Sequence, residues 1–178
     1  MKKLSLLLCL VTFFASCNGV KTGESNTNAD STKNAPADLP YTATYTSSWS
    51  DNISDADLRM VLMTYKDWSS GNMKGLGAAM GDSVEYEMNS GKVSKFTNPQ
   101  LMEMWTTSRD SLKSVVIEMH AWDKMYSTDK KDGYVVTWYK EIDTYKDGRV
   151  DSASYHDINQ IKDGRIIWYS QYKRPLKP

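Results

Sequence analysis

The dipeptide Asp-Gly occurs at Asp132-Gly133, Asp147-Gly148 and Asp163-Gly164, the last two inside identical Lys-Asp-Gly-Arg tetrapeptides. Asp-Gly is a strong signal for a two-residue hairpin loop, because both central positions of such a turn need positive φ. The runs around these dipeptides, about 115–127, 134–146, 149–162 and 165–173, are rich in Val, Ile, Tyr, Trp and Thr. The spacing therefore predicts four long strands joined as an antiparallel meander. Such a meander leaves little freedom: once the turns are set, the pairing and the inward-facing side chains follow.

The preceding residues supply helices. Ser54-Asp55-Ala56-Asp57 sets a capping serine before an acid, and Leu58, Val61, Leu62, Tyr65 and Trp68 then recur on one helical face until Ser69-Ser70-Gly71. A short second helix is predicted over 72–80, where Gly75 and Gly77 weaken helix propensity but admit a close neighbour. Segments 84–88 and 92–96 read as a hairpin across Asn89-Ser90-Gly91. Asn98-Pro99 supplies a cap and a first-turn proline for a third helix, with Leu101, Met104, Trp105, Ser108 and Leu112 on its inner face.

This order of elements, the stretch "DWSSGNMKGLGAAMGDSVEYE" and the closing "KDGRIIWYSQY" resemble the nuclear transport factor 2-like (SnoaL-like) superfamily over about residues 54–174. The resemblance implies an α+β, cone-shaped fold in which three helices from the N-terminal side pack in a strongly curved, mostly antiparallel six-stranded sheet. It also implies a homodimer across the outer sheet face. Ketosteroid isomerase, scytalone dehydratase and polyketide cyclases share the superfamily with non-catalytic binding and assembly modules, so the scaffold does not choose the chemistry. No position matches an isomerase or dehydratase motif residue by residue, and no catalytic role is carried over.

Two-residue loops make the register calculable. Around Asp147-Gly148 they set Trp138 against Asp157 and Val136 against Asn159; around Asp163-Gly164 they set Asp157 against Ser170 and Asn159 against Trp168. One face then gathers Ile117, Met119, Ala121, Val136, Trp138, Ile142, Ile161, Ile166, Trp168 and Tyr172, and is expected to be the core. The other carries Glu118, His120, Trp122, Thr137, Tyr139, Glu141, His156, Gln160, Tyr169 and Gln171, and suits solvent or a second subunit, with Trp122, Tyr139 and Tyr169 at a dimer contact. A bulge would reverse the faces beyond it, and the short polar run 151–154 is a plausible place for one.

Polar groups on the expected inner face are the candidate site. Lys140, Asp157, Asn159 and Ser170, amid Trp138, Trp168 and Tyr172, form the expected ligand-binding set, since buried polar groups must be satisfied by each other, by water or by a ligand. Asp157 is the candidate general acid or base, because an apolar surround raises a carboxylate's pKa. The alternative is an internal network of Asp157 with Lys140 or a tryptophan N–H. Both histidines fall on the outer face. Glu118-x-His120 is read as solvated sheet rather than as a metal site, and no metal or other cofactor is expected. Ser154, His156 and Asp157 make no triad, because adjacent strand residues point opposite ways.

The chain opens "MKKLSLLLCLVTFFASC", where two lysines precede an apolar run too short for a comfortable membrane span. Residues 1–16 read as a lipoprotein signal peptide, because Phe14-Ala15-Ser16-Cys17 resembles a bacterial lipobox with Cys17 as the lipidated residue. Residues 17–50, rich in Asn, Thr, Ser and Asp, read as a lipid-anchored flexible tether, and 51–178 as the folded domain. The expected location is the cell envelope, anchored to a bacterial membrane, with the outer membrane favoured. Cys9 is discarded with the signal, so the folded part holds no thiol, which excludes disulfides, zinc–thiolate sites and a catalytic cysteine. Of 22 basic and 22 acidic residues the signal removes Lys2 and Lys3, leaving 20 against 22, which gives no electrostatic reason to expect nucleic acid.

The expected function is a non-catalytic, lipid-anchored domain that binds a small, partly apolar ligand or mediates assembly. The alternative is a proton-transfer isomerase, dehydratase or cyclase using a pocket carboxylate, with Tyr172 or Asn159 stabilising developing charge.

Overall fold

A computed structural model describes residues 39–176. The expected signal peptide at 1–16, the expected lipidation site Cys17 and the expected tether as far as residue 38 lie outside the described residues. Thr42–Pro178 forms one compact unit. No helix among the described residues is long and apolar enough to cross a membrane.

The unit carries three helices, α1 (Asp55–Ser70), α2 (Met73–Ala79) and α3 (Asn98–Asp110), and seven strands. These are β1 (Trp49–Ser50), β2 (Met80–Glu87), β3 (Val93–Thr97), β4 (Leu112–Ser127), β5 (Asp132–Tyr145), β6 (Val150–Lys162) and β7 (Arg165–Pro175). The sheet is curled and ordered β1-β4-β5-β6-β7-β2-β3; only β2 and β7 run parallel. The expected count was six. The seventh is β1, two residues that pair with Tyr126 and Ser127 at the end of β4. Beside it, Tyr45 donates its phenol proton to Asp132 and lies 2.9 Å from the Tyr134 hydroxyl, while Thr46 bonds Asp129. Residues 42–50 thus form a strap on the β4–β5 turn.

Local signals account for the helices. Ser54 Oγ accepts from the Asp57 amide at 3.0 Å, and α1 ends at Gly71, whose φ of 75° suits glycine. At the head of α3, Thr97 rather than Asn98 is the cap, in a capping box with Gln100. Asn98 is drawn away because its Nδ2 donates to the Gly77 and Met80 carbonyls, at 2.9 and 3.1 Å, tying α3 to the end of α2. Gly77 serves close approach, since a Cβ there would meet Met102 Sδ of α3 at 3.0 Å. Val61, Leu76, Val84, Leu101, Val135 and Ile166 lead the core between helices and sheet.

The two Lys-Asp-Gly-Arg copies fold differently. At the second, Lys162 pairs Arg165 across a two-residue loop, with Asp163 and Gly164 at φ of 51° and 70°. At the first, Tyr145 N–H bonds the Arg149 carbonyl and Gly148 N–H bonds Tyr145, a three-residue loop in which only Gly148 has positive φ. Its surroundings select it: Asp147 Oδ1 accepts from the Arg149 amide at 3.0 Å, and the Arg149 guanidinium pairs with Asp151 and lies 3.6 Å over the Tyr145 ring. The odd loop shifts β5 against β6 by one residue, so Trp138 faces His156 and Thr137 faces Asp157. Asp132-Gly133 is not a turn; it opens β5, after a loop at residues 128–131.

Irregularities occur elsewhere than expected. β5 and β6 pair without interruption through residues 151–154. The register instead shifts within β4, at Lys113 and at His120, and in β7 at Ile167, between the pairs Ile161–Ile166 and Gln160–Trp168. The shift at Ile167 sets Asp157 against Gln171 and Asn159 against Tyr169. The inner face is therefore Val135, Thr137, Tyr139 and Glu141 of β5, Tyr155, Asp157 and Asn159 of β6, and Tyr169 and Gln171 of β7. Asp157 and Asn159 are buried inward, as expected, with 0% and 2% exposure. The faces expected for β5, and for β7 beyond Ile167, are reversed, whereas Ile166 is in the core as expected.

Candidate functional site

A cavity of about 410 Å³ lies between α1, α3 and the inner faces of β5, β6 and β7. Its walls are aromatic: Tyr65 and Trp68 from α1, Tyr86 from β2, Trp105 from α3, Tyr139 and Tyr145 from β5, Tyr155 from β6, and Tyr169 from β7. Tyr139 and Tyr155 stack at 5.1 Å, and Trp105 meets Tyr169 edge-on at 6.2 Å. The order follows from strand alternation, because Tyr139, Glu141, Asp143 and Tyr145 are every second residue of β5.

Beneath one wall lies a closed polar network. Asp157 Oδ2 accepts three phenol protons, from Tyr169 at 2.8 Å, Tyr139 at 2.9 Å and Tyr65 at 3.2 Å. Its Oδ1 has no hydrogen-bond partner among the described residues. Gln171 Nε2 donates to the Tyr169 oxygen at 2.7 Å, and Asn159 Nδ2 donates to the Val135 carbonyl at 3.2 Å and to the Tyr65 oxygen at 3.3 Å. Burial pushes the Asp157 carboxyl up to about 7, while the three phenols pull the other way. The same burial, with the Asp157 charge beside them, lifts Tyr65, Tyr139 and Tyr169 well above the ordinary phenol value.

The cavity's own acids are Glu141 and Asp143, neighbours on one face of β5. Burial, reinforced by the Asp143 charge, raises Glu141 to about 8, and burial also raises Asp143. Two carboxyls this close do not both ionise readily, so the pair keeps one proton near neutral pH. Arg109 stands nearby but is spent elsewhere: Nε and Nη2 donate to the Trp68 and Ser69 carbonyls at 2.9 and 3.0 Å, closing the C-terminal end of α1. Lys173 of β7 reaches the rim, its Nζ 5.5 Å from the Tyr155 ring centroid.

Of the residues expected to bind ligand, only Asn159 lines the cavity. Asp157 lies on the same face, screened by phenols. Trp138, Lys140, Trp168, Ser170 and Tyr172 lie on the opposite face, because the three-residue loop and the shift at Ile167 each move a strand by one position. There Trp138 stacks on His156 at 4.9 Å, Tyr172 flanks His156 at 5.9 Å, and Lys140 pairs with Glu118 at 3.5 Å. Asp157 therefore meets tyrosines, not the Lys140 or tryptophan N–H of the expected network. His156 faces outward as expected; His120 is exposed at a register shift. Trp122 does not belong to the outer face: it pairs with Thr137 and lies near Leu62 and Lys66 of α1. Tyr139 and Tyr169 are likewise inside. Glu141 and Asp143 were missed as site residues, and the signal that locates them is the every-second-residue series from Thr137 to Tyr145, once the loop is counted as three.

No family model and no curated protein matches the sequence. Solved structures do match. The chain is similar to a LEH-like epoxide hydrolase of M. tuberculosis, with TM-score 0.55, 17% identity, and coverage of 67% of this chain and 83% of that one. It is similar to an NTF2-like protein of unknown function from Burkholderia pseudomallei, with TM-score 0.54, 11% identity and coverage of 68% and 92%. A Catenulispora acidiphila protein with a ketosteroid isomerase-like fold, in complex with trimethylamine, gives TM-score 0.52, 12% identity and coverage of 64% and 83%. These likenesses establish the fold, and at such identities the fold alone.

Proposed function

We propose that this nuclear transport factor 2-like domain binds a small, partly apolar molecule in the aromatic cavity, as a non-catalytic module held at the cell envelope by a lipid on Cys17. The observation that carries the reading is a concavity of about 410 Å³ walled by tyrosine and tryptophan, with one convergent carboxyl pair, Glu141 and Asp143. Aromatic walls combined with convergent polar groups, here including Asn159, Gln171 and Lys173 beside the carboxyl pair, are a usual composition of a ligand site. The lipid anchor rests on the sequence at residues 14–17 alone.

A second reading, proton-transfer catalysis, is favoured by one observation: Glu141, raised to about 8, retains a proton that it can give up near neutral pH. Asp157 is the weaker catalytic candidate, since Tyr65, Tyr139 and Tyr169 stand between it and the cavity. Native mass spectrometry of the protein purified from its source tests the first reading, through a bound small molecule that is lost when Tyr139→Ala and Tyr155→Ala open the walls. Glu141→Gln then separates the two. It leaves binding near neutral pH intact if the domain only binds, and abolishes turnover of the molecule so identified if the domain is an enzyme.

The outer sheet face is proposed as the surface for a second copy of the chain. Its centre is the row Trp138, His156 and Tyr172, with Trp138 and Tyr172 exposed at 38% and 53%. Around them Val136, Ile158 and Ser170 form a second, more enclosed row.

A further inference from the structure

The cavity's hydrogen-bonding groups have a direction. Each phenol carries one proton, and Tyr139 and Tyr169 spend theirs on Asp157. Their oxygens can then only accept, which obliges Gln171 to present its N–H side to Tyr169. Asn159 is fixed in the same sense, because its amide nitrogen serves the Val135 carbonyl and Tyr65. At Tyr139, Tyr169, Gln171 and Asn159 the protons are thus spent within the network and the phenol oxygens are left as acceptors, while the hydroxyls of Tyr86, Tyr145, Tyr155, Ser108 and Ser111 line the rest of the cavity. Glu141 and Asp143 add carboxyl oxygens, and Asp143 Oδ1 is buried without a partner among the described residues.

Two further observations point the same way. Aromatic faces attract cations through their negative quadrupole, and an aromatic box beside a carboxylate is how quaternary ammonium groups are held. An ammonium already rests on this wall, since Lys173 Nζ lies over the Tyr155 ring. Lys173 is therefore the like charge that a cationic ligand must displace from the Tyr155 ring and from beside Asp143.

We infer that the cavity takes an organic ammonium, a compact alkylated amine whose cationic head sits among Tyr139, Tyr155 and Trp68 beside Asp143. The inference rests on the small-molecule reading above and narrows its ligand class. The charged groups facing the pair are Asp157 and Asp151 from β6, Lys173 from β7 and Arg109 from α3. A cation favours the fully ionised pair, so its affinity rises as Glu141 loses its proton near pH 8.

The test titrates the full-length protein calorimetrically with three probes of one shape: choline, the alcohol in which carbon replaces its nitrogen, and the tert-butyl carboxylate of the same length. The expected result is choline binding at least about tenfold tighter than the uncharged alcohol, with the carboxylate weakest. Asp143→Asn should remove most of that preference, and Lys173→Met should strengthen choline binding. Glu141→Gln should abolish the gain in affinity between about pH 7 and pH 9. If a variant fails to fold, the probe ranking and the pH profile of the unaltered protein still decide. Equal affinity for choline and the uncharged alcohol, or tightest binding of the carboxylate, overturns the ammonium assignment and leaves the small-molecule reading standing. Absence of binding by all three overturns the ammonium assignment, and the small-molecule reading falls with it only if the protein purified from its source also carries nothing.

Discussion

Asp157 shows how an acid can be well bonded at one oxygen and still costly to ionise. Three phenols bond one of its oxygens, yet enclosure at 0% exposure outweighs them and lifts its pKa from 3.8 to about 7. A folded-state pKa raised above the unfolded value means that the protonated form stabilises the fold. That contribution is complete below about pH 4 and is lost as pH rises through about 7, and for a fully enclosed group it amounts to something on the order of 4 kcal/mol. Glu141 acts in the same direction up to about 8. Stability should therefore fall between about pH 5 and pH 8, and Asp157→Asn, which cannot ionise, should flatten that fall; urea unfolding of both proteins at the two pH values measures it. An unchanged slope would mean that Asp157 is not the group responsible.

At the level of elements, most of the fold was legible in the sequence, and two turns decide what was not. The start of α1, the Asn89-Ser90-Gly91 hairpin, the meander of β4 to β7 and the inward Asp157 and Asn159 follow from capping residues and alternation. What failed was parity. The tetrapeptide Lys-Asp-Gly-Arg does not encode loop length; Tyr145 and Asp151, which grip Arg149, do so at the first copy, and nothing comparable flanks the second. One extra loop residue moved Glu141 into the cavity and Trp138 out of it. The shift at Ile167 did the same for Tyr169 and Trp168. A single-residue slip reverses every side chain beyond it, so of the seven expected site residues only Asp157 and Asn159 face inward, for a local reason. Gly148→Ala tests the loop: at φ of 90°, with nothing within 4 Å of the added Cβ, the cost is backbone strain, about 1–2 kcal/mol of unfolding free energy in a denaturant titration.

At the level of the whole molecule, the outer face should govern association. Trp138→Glu sets a charge in the centre of the aromatic row and should convert a dimer to monomers in sedimentation velocity, leaving circular dichroism unchanged; a monomeric unaltered protein would remove this surface from consideration. Trp122→Glu, on the α1 side of the sheet, should not alter association. Anchorage is separable from both. Cys17→Ala should abolish incorporation of labelled palmitate and move the protein from the membrane fraction to the soluble one.

The strap on the β4–β5 turn has one more effect. It fastens the incoming chain beside Asp132, at one end of β5, whereas Asp143 and Tyr145 reach the cavity at the other. Along a fourteen-residue strand the two ends are separated by up to roughly 45 Å. The strap is thus fastened at the end of β5 remote from the carboxyl pair.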